Sequence, residues 1–199
     1  MIKVLIFDLG GVVLNRGLWL FRNYLVEKYN VTDEATIAVF IKKYYKLYFS
    51  GNITEKEFWE SSLSDLGIKA DWLELREILF NFYKPNDGMF ELLDMLKVRG
   101  YRNILLSDQT NEWWPALNQK WKIDSYFDYC IISAEIGINK PDERIYKLAL
   151  EKSQASADSI VFIDDLEENL LPAEKLEFKT VLYQDTEQLK KDLIALKVI

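Results

Sequence analysis

The sequence contains no histidine. That absence removes the Ser-His and Cys-His nucleophile pairs and histidine-bound metals, and leaves carboxylates and lysine to carry any catalysis. It has one cysteine, Cys130, so no disulfide can form within the chain. Cys130 lies in the apolar run Tyr129-Cys130-Ile131-Ile132 and reads as a small packed hydrophobe, which fits a reduced, cytoplasmic setting. No block of Lys or Arg is present, and a formal charge of -7 with a pI near 4.8 argues against a nucleic-acid partner, because phosphate backbones require a concentrated basic face. No uninterrupted apolar stretch is long enough for a membrane span. The N-terminal run is cut by Asp8 and has no small-residue cleavage site, so neither a signal peptide nor a membrane partner is expected. The sequons at Asn30 and Asn52 are incidental on this reading.

What is present is an ordinary globular balance, 49% hydrophobic and 29% charged, in 199 residues. That length suits one domain carrying an insertion. Val4 to Phe7 has the composition of a strand buried on both faces, and it delivers Asp8 to the pair Gly10-Gly11, where the backbone can turn sharply. From about Asn15 to Lys84 the periodicity becomes helical and aromatics crowd together. Phe40, Tyr44, Leu47 and Tyr48 fit one apolar helix stripe, and Thr54-Glu55-Lys56-Glu57 matches a capping box that opens a helix at Phe58-Trp59. The aromatics Trp19, Tyr24, Tyr29, Tyr45, Phe49, Trp59 and Trp72 read chiefly as the core of a helical bundle, with some left to line a substrate entrance.

From Pro85 onward, helices and strands alternate. Helices are expected at Met89 to Val98, Trp113 to Trp121, Arg144 to Lys152, Leu170 to Leu176 and from Thr186. Strands are expected at Asn103 to Ser107, Tyr129 to Ser133, Ile160 to Ile163 and Thr180 to Tyr183. This order implies an α/β fold: a Rossmann-like, doubly wound parallel sheet interrupted by an α-helical insertion. The expected division is a core of residues 1-14 and 85-199 and a helical cap of residues 15-84.

Ligands of such sheets sit beyond the carboxyl ends of the strands, at the switch in strand order. That rule selects Asp8, Ser107, Lys140, Asp164 and Asp165. Three carboxylates placed together raise one another's pKa unless a cation neutralises them, and an oxygen-rich site with few protein ligands suits Mg²⁺. Lys140 and Ser107 suit phosphate oxygens.

In these four stretches the sequence resembles the haloacid dehalogenase-like hydrolase superfamily, in its helical-cap branch. Phe7-Asp8-Leu9-Gly10-Gly11-Val12 looks like its first motif and Leu105-Leu106-Ser107-Asp108 its second. Asn139-Lys140-Pro141-Asp142-Glu143-Arg144-Ile145-Tyr146 looks like its third, and Phe162-Ile163-Asp164-Asp165 with Asn169 its fourth. The likeness extends to bacterial sugar-phosphate phosphatases and to the phosphatase domain of soluble epoxide hydrolases. The resemblance implies an enzyme that removes phosphate from a small phosphorylated metabolite. Asp8 would be the nucleophile, Ser107, Asp108 and Lys140 would hold the phosphoryl group, and Asp8, the Gly10 carbonyl and Asp165 would ligate Mg²⁺, with Asp164 in support. The cap would close over the site and select substrate.

One position departs from the pattern. Family phosphatases carry a second Asp two residues after the nucleophile as general acid and base, and here that residue is Gly10. Its absence predicts a slower enzyme, a good leaving group, or proton transfer by water or another carboxylate. It also leaves open a catalytically weak phosphate-binding or regulatory protein. A 2-haloacid dehalogenase is the other alternative, disfavoured because such enzymes carry an aromatic residue in place of Gly10 and uncharged residues in place of Asp164 and Asp165.

Overall fold

A computed structural model describes residues 1–199. Five strands form one fully parallel sheet: β1 (Val4–Phe7), β2 (Arg102–Ser107), β3 (Tyr129–Ile132), β4 (Ile160–Asp164) and β5 (Lys179–Leu182). Their order across the sheet is β3-β2-β1-β4-β5, so the order reverses at β1. Phe7 pairs with Leu105 on one side and Ile163 on the other, which brings the carboxyl ends of β1, β2 and β4 level. Asp8, Ser107 and Asp164 follow from that register.

Both faces of the sheet are covered, as its continuous apolar strands require. Leu5 and Phe7 point into the larger core of 38 buried residues, with helices α6 (Met89–Val98) and α11 (Thr186–Ala195). Val4 and Ile6 point the other way, into a core of 13 buried residues shared with α9 (Glu143–Ser153) and α10 (Glu167–Lys175). The alternation along β1 is the period-two consequence of the pleat.

Between β1 and β2 the chain is helical: α1 (Gly17–Tyr29), α2 (Asp33–Thr36), α3 (Tyr45–Phe49), α4 (Glu55–Asp65) and α5 (Trp72–Phe82) precede α6. The capping box at Thr54 is formed, with the Glu57 N–H donating to Thr54 Oγ1 at 3.2 Å and the Thr54 N–H to Glu57 Oε2 at 2.8 Å. The expected single stripe through Phe40 and Tyr48 is corrected. A π-helical segment, Ile37–Lys43, separates α2 from α3, and Leu47 is exposed while Phe40 and Tyr48 are buried. The wider π turn shifts the angular phase of the residues after it, so a 3.6-residue period cannot run through.

The two connections to this helical segment run side by side. Leu14 and Pro85 form an antiparallel bridge. The Asn15 N–H donates to the Lys84 carbonyl at 2.8 Å and the Asn86 N–H to that of Val13 at 3.0 Å. The segment is also docked away from this neck. Phe58 and Trp59 of α4, with Tyr48 and Phe49 of α3, pack against Trp113 at the start of α7 (Trp113–Trp121). The Trp113 indole N–H donates to Glu55 Oε1 at 2.7 Å. Trp113 therefore packs the helices against the sheet rather than facing a ligand. A short helix, α8 (Ser133–Ile136), takes up Ser133, which was expected to end β3; its hydroxyl donates to the Phe49 carbonyl at 2.5 Å. No helix is long and apolar enough to cross a membrane.

Candidate active site

At the carboxyl ends of β1, β2 and β4 the selected residues converge on one lysine. Lys140 Nζ stands 2.7 Å from Asp8 Oδ1 and 2.7 Å from Asp164 Oδ2, with its side chain buried. Asp164 is fully committed: Oδ2 takes the lysine, and Oδ1 accepts from the Leu166 N–H at 2.9 Å and from Asn169 Nδ2 at 3.0 Å. Asp8 Oδ2 and Asp165 Oδ1 point to no such partners. Ligand oxygens of Asp8, Asp164 and Asp165 all lie within 4.8 Å of one another.

Burial dominates the electrostatics. It pushes the Asp8 carboxyl well above the usual range; Lys140 opposes the rise, and Asp164 and Asp165 add to it. Burial alone would lower the Lys140 ammonium, but Asp164, Asp8 and Asp108 outweigh it and hold it well above its ordinary value. Asp165 is also raised by burial, against the pull of Arg16. Three carboxylates facing one buried ammonium carry excess negative charge, which a proton or a further cation must balance.

Arg16 supplies part of that balance, and the strand-end rule does not find it. Its Nε lies 2.5 Å from Asp165 Oδ2 and its Nη2 donates to the Asp165 carbonyl at 3.2 Å. Arg16 stands in the neck just before α1, far from any strand end. Its only sequence signal is a basic residue shortly after the Asp8 loop.

Asp8, Gly10, Asp108, Lys140 and Asp165 line one cavity of about 310 Å³. Ser107 and Asp164 do not line it. Ser107 is buried, and its hydroxyl has no hydrogen-bond partner. Asp108 Oδ1 accepts the Lys140 backbone N–H at 3.0 Å, which ties the loop after β2 to the loop after β3. The helical segment contributes Arg16, Trp19, Ile41, Tyr45 and Phe49 to the cavity wall, with the Tyr45 and Phe49 rings stacked at 3.9 Å. Most of the other aromatics of that segment pack into its core. Gly11 approaches the site most closely: a Cβ there would fall 2.1 Å from Asp165 Oδ2, and its φ of +98° favours glycine. At Gly10 a Cβ would meet nothing within 4 Å.

A parallel sheet with an acidic cluster and a lysine at its switch point defines a hydrolase of the haloacid dehalogenase-like type, and the chain belongs to that family, whose model, described as haloacid dehalogenase-like hydrolase, matches residues 2–176. Among curated relatives, bifunctional epoxide hydrolase 2 of Sus scrofa is 32% identical over 117 residues, 55% of this chain and only 20% of that much longer protein. D-ribitol-5-phosphate phosphatase of Bacteroides thetaiotaomicron is 24% identical across 90% of this chain and 91% of its own. (S)-2-haloacid dehalogenase 4A of Burkholderia cepacia is 24% identical across 90% and 82%. A family enzyme of Bacteroides thetaiotaomicron, solved in complex with magnesium and inorganic phosphate, superimposes with a TM-score of 0.72 at 24% identity, over 94% of this chain and 96% of that one.

Proposed function

We propose that this hydrolase is a Mg²⁺-dependent phosphatase of a small phosphorylated metabolite, acting through an aspartyl-phosphate on Asp8. The observation that carries this reading is the Asp8–Lys140–Asp164 ion-pair chain with Asp165 beside it, a donor set of hard oxygens around one phosphate-binding cation. The phosphatase and the magnesium-phosphate complex among the similar proteins support it.

Asp8 attacks phosphorus with one carboxyl oxygen and would hold Mg²⁺ with the other. The Lys140 ammonium receives equatorial oxygens of the transferring group, the buried Ser107 hydroxyl, which has no partner of its own, is a further donor once it turns toward that group, and Asp108 Oδ1 anchors the Lys140 backbone. Asp8, the Gly10 carbonyl and Asp165 would hold Mg²⁺, with Asp164 fixing Lys140 and Asn169 alongside. The donor chemistry fits, since Asp165 and Asp8 each keep an oxygen free of the lysine while both oxygens of Asp164 are taken. The ion, when bound, neutralises charge on the phosphoryl oxygens. Arg16 must release Asp165 for this, which its half-exposed side chain allows. Residues 15–84 act as a cap over the core of residues 1–14 and 85–199, excluding water and selecting substrate through Trp19, Ile41, Tyr45 and Phe49.

The test is phosphate release from a panel of sugar phosphates and an activated aryl phosphate in the presence of Mg²⁺. Release that disappears in Asp8→Asn and on chelation is the expected result. Halide release from a 2-chloro acid without Mg²⁺ would instead support the dehalogenase reading, which the likeness to haloacid dehalogenase 4A favours and the charged pair Asp164-Asp165 opposes. Binding of one phosphate per chain with no turnover would support the non-catalytic reading that Gly10 allows.

A further inference from the structure

A phosphatase of this kind needs a proton for the departing oxygen, and Gly10 cannot supply one. We propose that Asp108 is the general acid and base of this site, in place of a side chain at Gly10. The inference rests on the phosphatase reading above.

Four carboxyl residues line the cavity: Asp8, Asp108, Asp165 and Glu168. Asp8 is the nucleophile. Asp165 is bound to Arg16 and belongs to the metal set. Glu168 is exposed in the first turn of α10. Asp108 alone has none of these roles and is half-buried. The phenols on the wall are poor proton carriers: burial, together with Asp108 and Asp8, holds Tyr45 well above its ordinary value, and burial raises Tyr83 likewise. Histidine is absent.

The placement of Asp108 suits the task. It lines the same cavity as Asp8 and Lys140, and the Lys140 N–H, with the Asn139 amide beside it, fixes the carboxyl there, Oδ1 lying 3.0 Å from that N–H. Its charged and titratable neighbours are Lys140 on the loop after β3, Asp164 at the end of β4, Tyr45 on α3 and Tyr146 on α9. Burial pushes its carboxyl up to about 6, against the Lys140 ammonium and backbone N–H and with help from Asp164. A carboxyl of that strength takes both forms near neutrality, which a residue that gives and then takes a proton requires.

In the first displacement the Asp8 oxygen–phosphorus bond forms, the bond from phosphorus to the leaving oxygen breaks, and the Asp108 proton passes to that oxygen, releasing an alcohol. In the second, the Asp108 carboxylate takes a proton from water as the water oxygen bonds to phosphorus and the Asp8–phosphorus linkage breaks. Phosphate leaves and both carboxyl groups return to their starting forms.

The experiment compares wild type and Asp108→Asn on a sugar phosphate, whose leaving alkoxide needs a proton, and on 4-nitrophenyl phosphate, whose leaving group does not. A loss of about a hundredfold or more on the sugar phosphate, with little loss on the aryl ester, is expected. The fall in wild-type kcat/KM on the sugar phosphate as pH rises through about 6, where Asp108 gives up the proton the leaving oxygen needs, should vanish in the variant. Affinity for orthovanadate, measured by calorimetry, should hold, and adding Gly10→Asp to Asp108→Asn should recover sugar-phosphate hydrolysis. Equal losses on both esters with weakened vanadate binding would make Asp108 a phosphate-positioning residue and overturn the proposal, as would no loss on either ester. An active wild type in those cases leaves the phosphatase reading standing. A wild type that releases phosphate from neither ester overturns that reading and this one with it.

Discussion

Two adjacent glycines in the Asp8 loop differ in what they can accept. Gly11 has no room, because Asp165 occupies the place its Cβ would take, whereas the Gly10 position opens into the cavity. Gly10→Asp should therefore fold with little change in stability, and in the Asp108→Asn background it should raise kcat on a sugar phosphate by about tenfold or more, since it restores a carboxylic acid to the site. Steady-state kinetics with a thermal melt on the same sample checks both halves. The carboxyl of Asp108 carries a second residue-level prediction, with a sign that can be worked out. Its folded value of about 6 lies above the unfolded value of about 3.9, so the native state holds the proton more tightly, and stability falls as pH rises between those values. Asp108→Asn lacks that loss. It should be more stable than wild type at pH 7, by at most about 3 kcal/mol, with the difference closing below pH 4 in urea denaturation.

At the scale of elements, α4 shows which features are local and which are not. Its capping box is legible in Thr54-Glu55-Lys56-Glu57 because both partners lie within one turn. The role of Glu55 in the same tetrapeptide is not, since its Oε1 accepts from the Trp113 indole at 2.7 Å and from Arg76 Nε at 2.7 Å, both far along the chain. Glu55→Leu should leave a buried N–H and a guanidinium without their acceptor and cost about 3 kcal/mol, read from the shift of the urea midpoint, while Glu55→Gln should retain most of the stability. The same distinction explains the rest of the record. Met89–Val98 and Trp113–Trp121 form the helices their periodicity implies. The strand-end rule gathers Asp8, Lys140 and Asp164 because it follows from sheet topology alone. Arg16 escapes it, since its partner Asp165 is fixed only when the neck folds back, and the π turn at Ile37–Lys43 escapes because no local residue pattern announces it.

For the molecule as a whole, the larger core runs without a break from the sheet face into the helical segment. Phe21, Phe40, Phe58 and Trp59 touch ring to ring, and Phe58 and Trp59 reach Trp113 on the sheet side. Helices and sheet should therefore unfold together, so tryptophan fluorescence and far-ultraviolet circular dichroism should give coincident transitions. Trp113→Ala should cost about 3–5 kcal/mol and separate the two curves. Coincident curves in that variant would show that the neck alone couples the halves.

The bridged neck at Leu14 and Pro85 has a consequence for how such a chain can diversify. The backbone leaves the strand layer and re-enters it at neighbouring points, about 5 Å apart in a bridged pair, so the length and shape of what lies between are free of the register that fixes β1 against β2 and β4. A different insert spliced at this port would inherit the same acidic cluster and lysine beneath it. On the proposed role of the helical segment as a substrate-selecting cap, what the molecule recognises could thus be exchanged as a cartridge while the cluster below keeps its geometry.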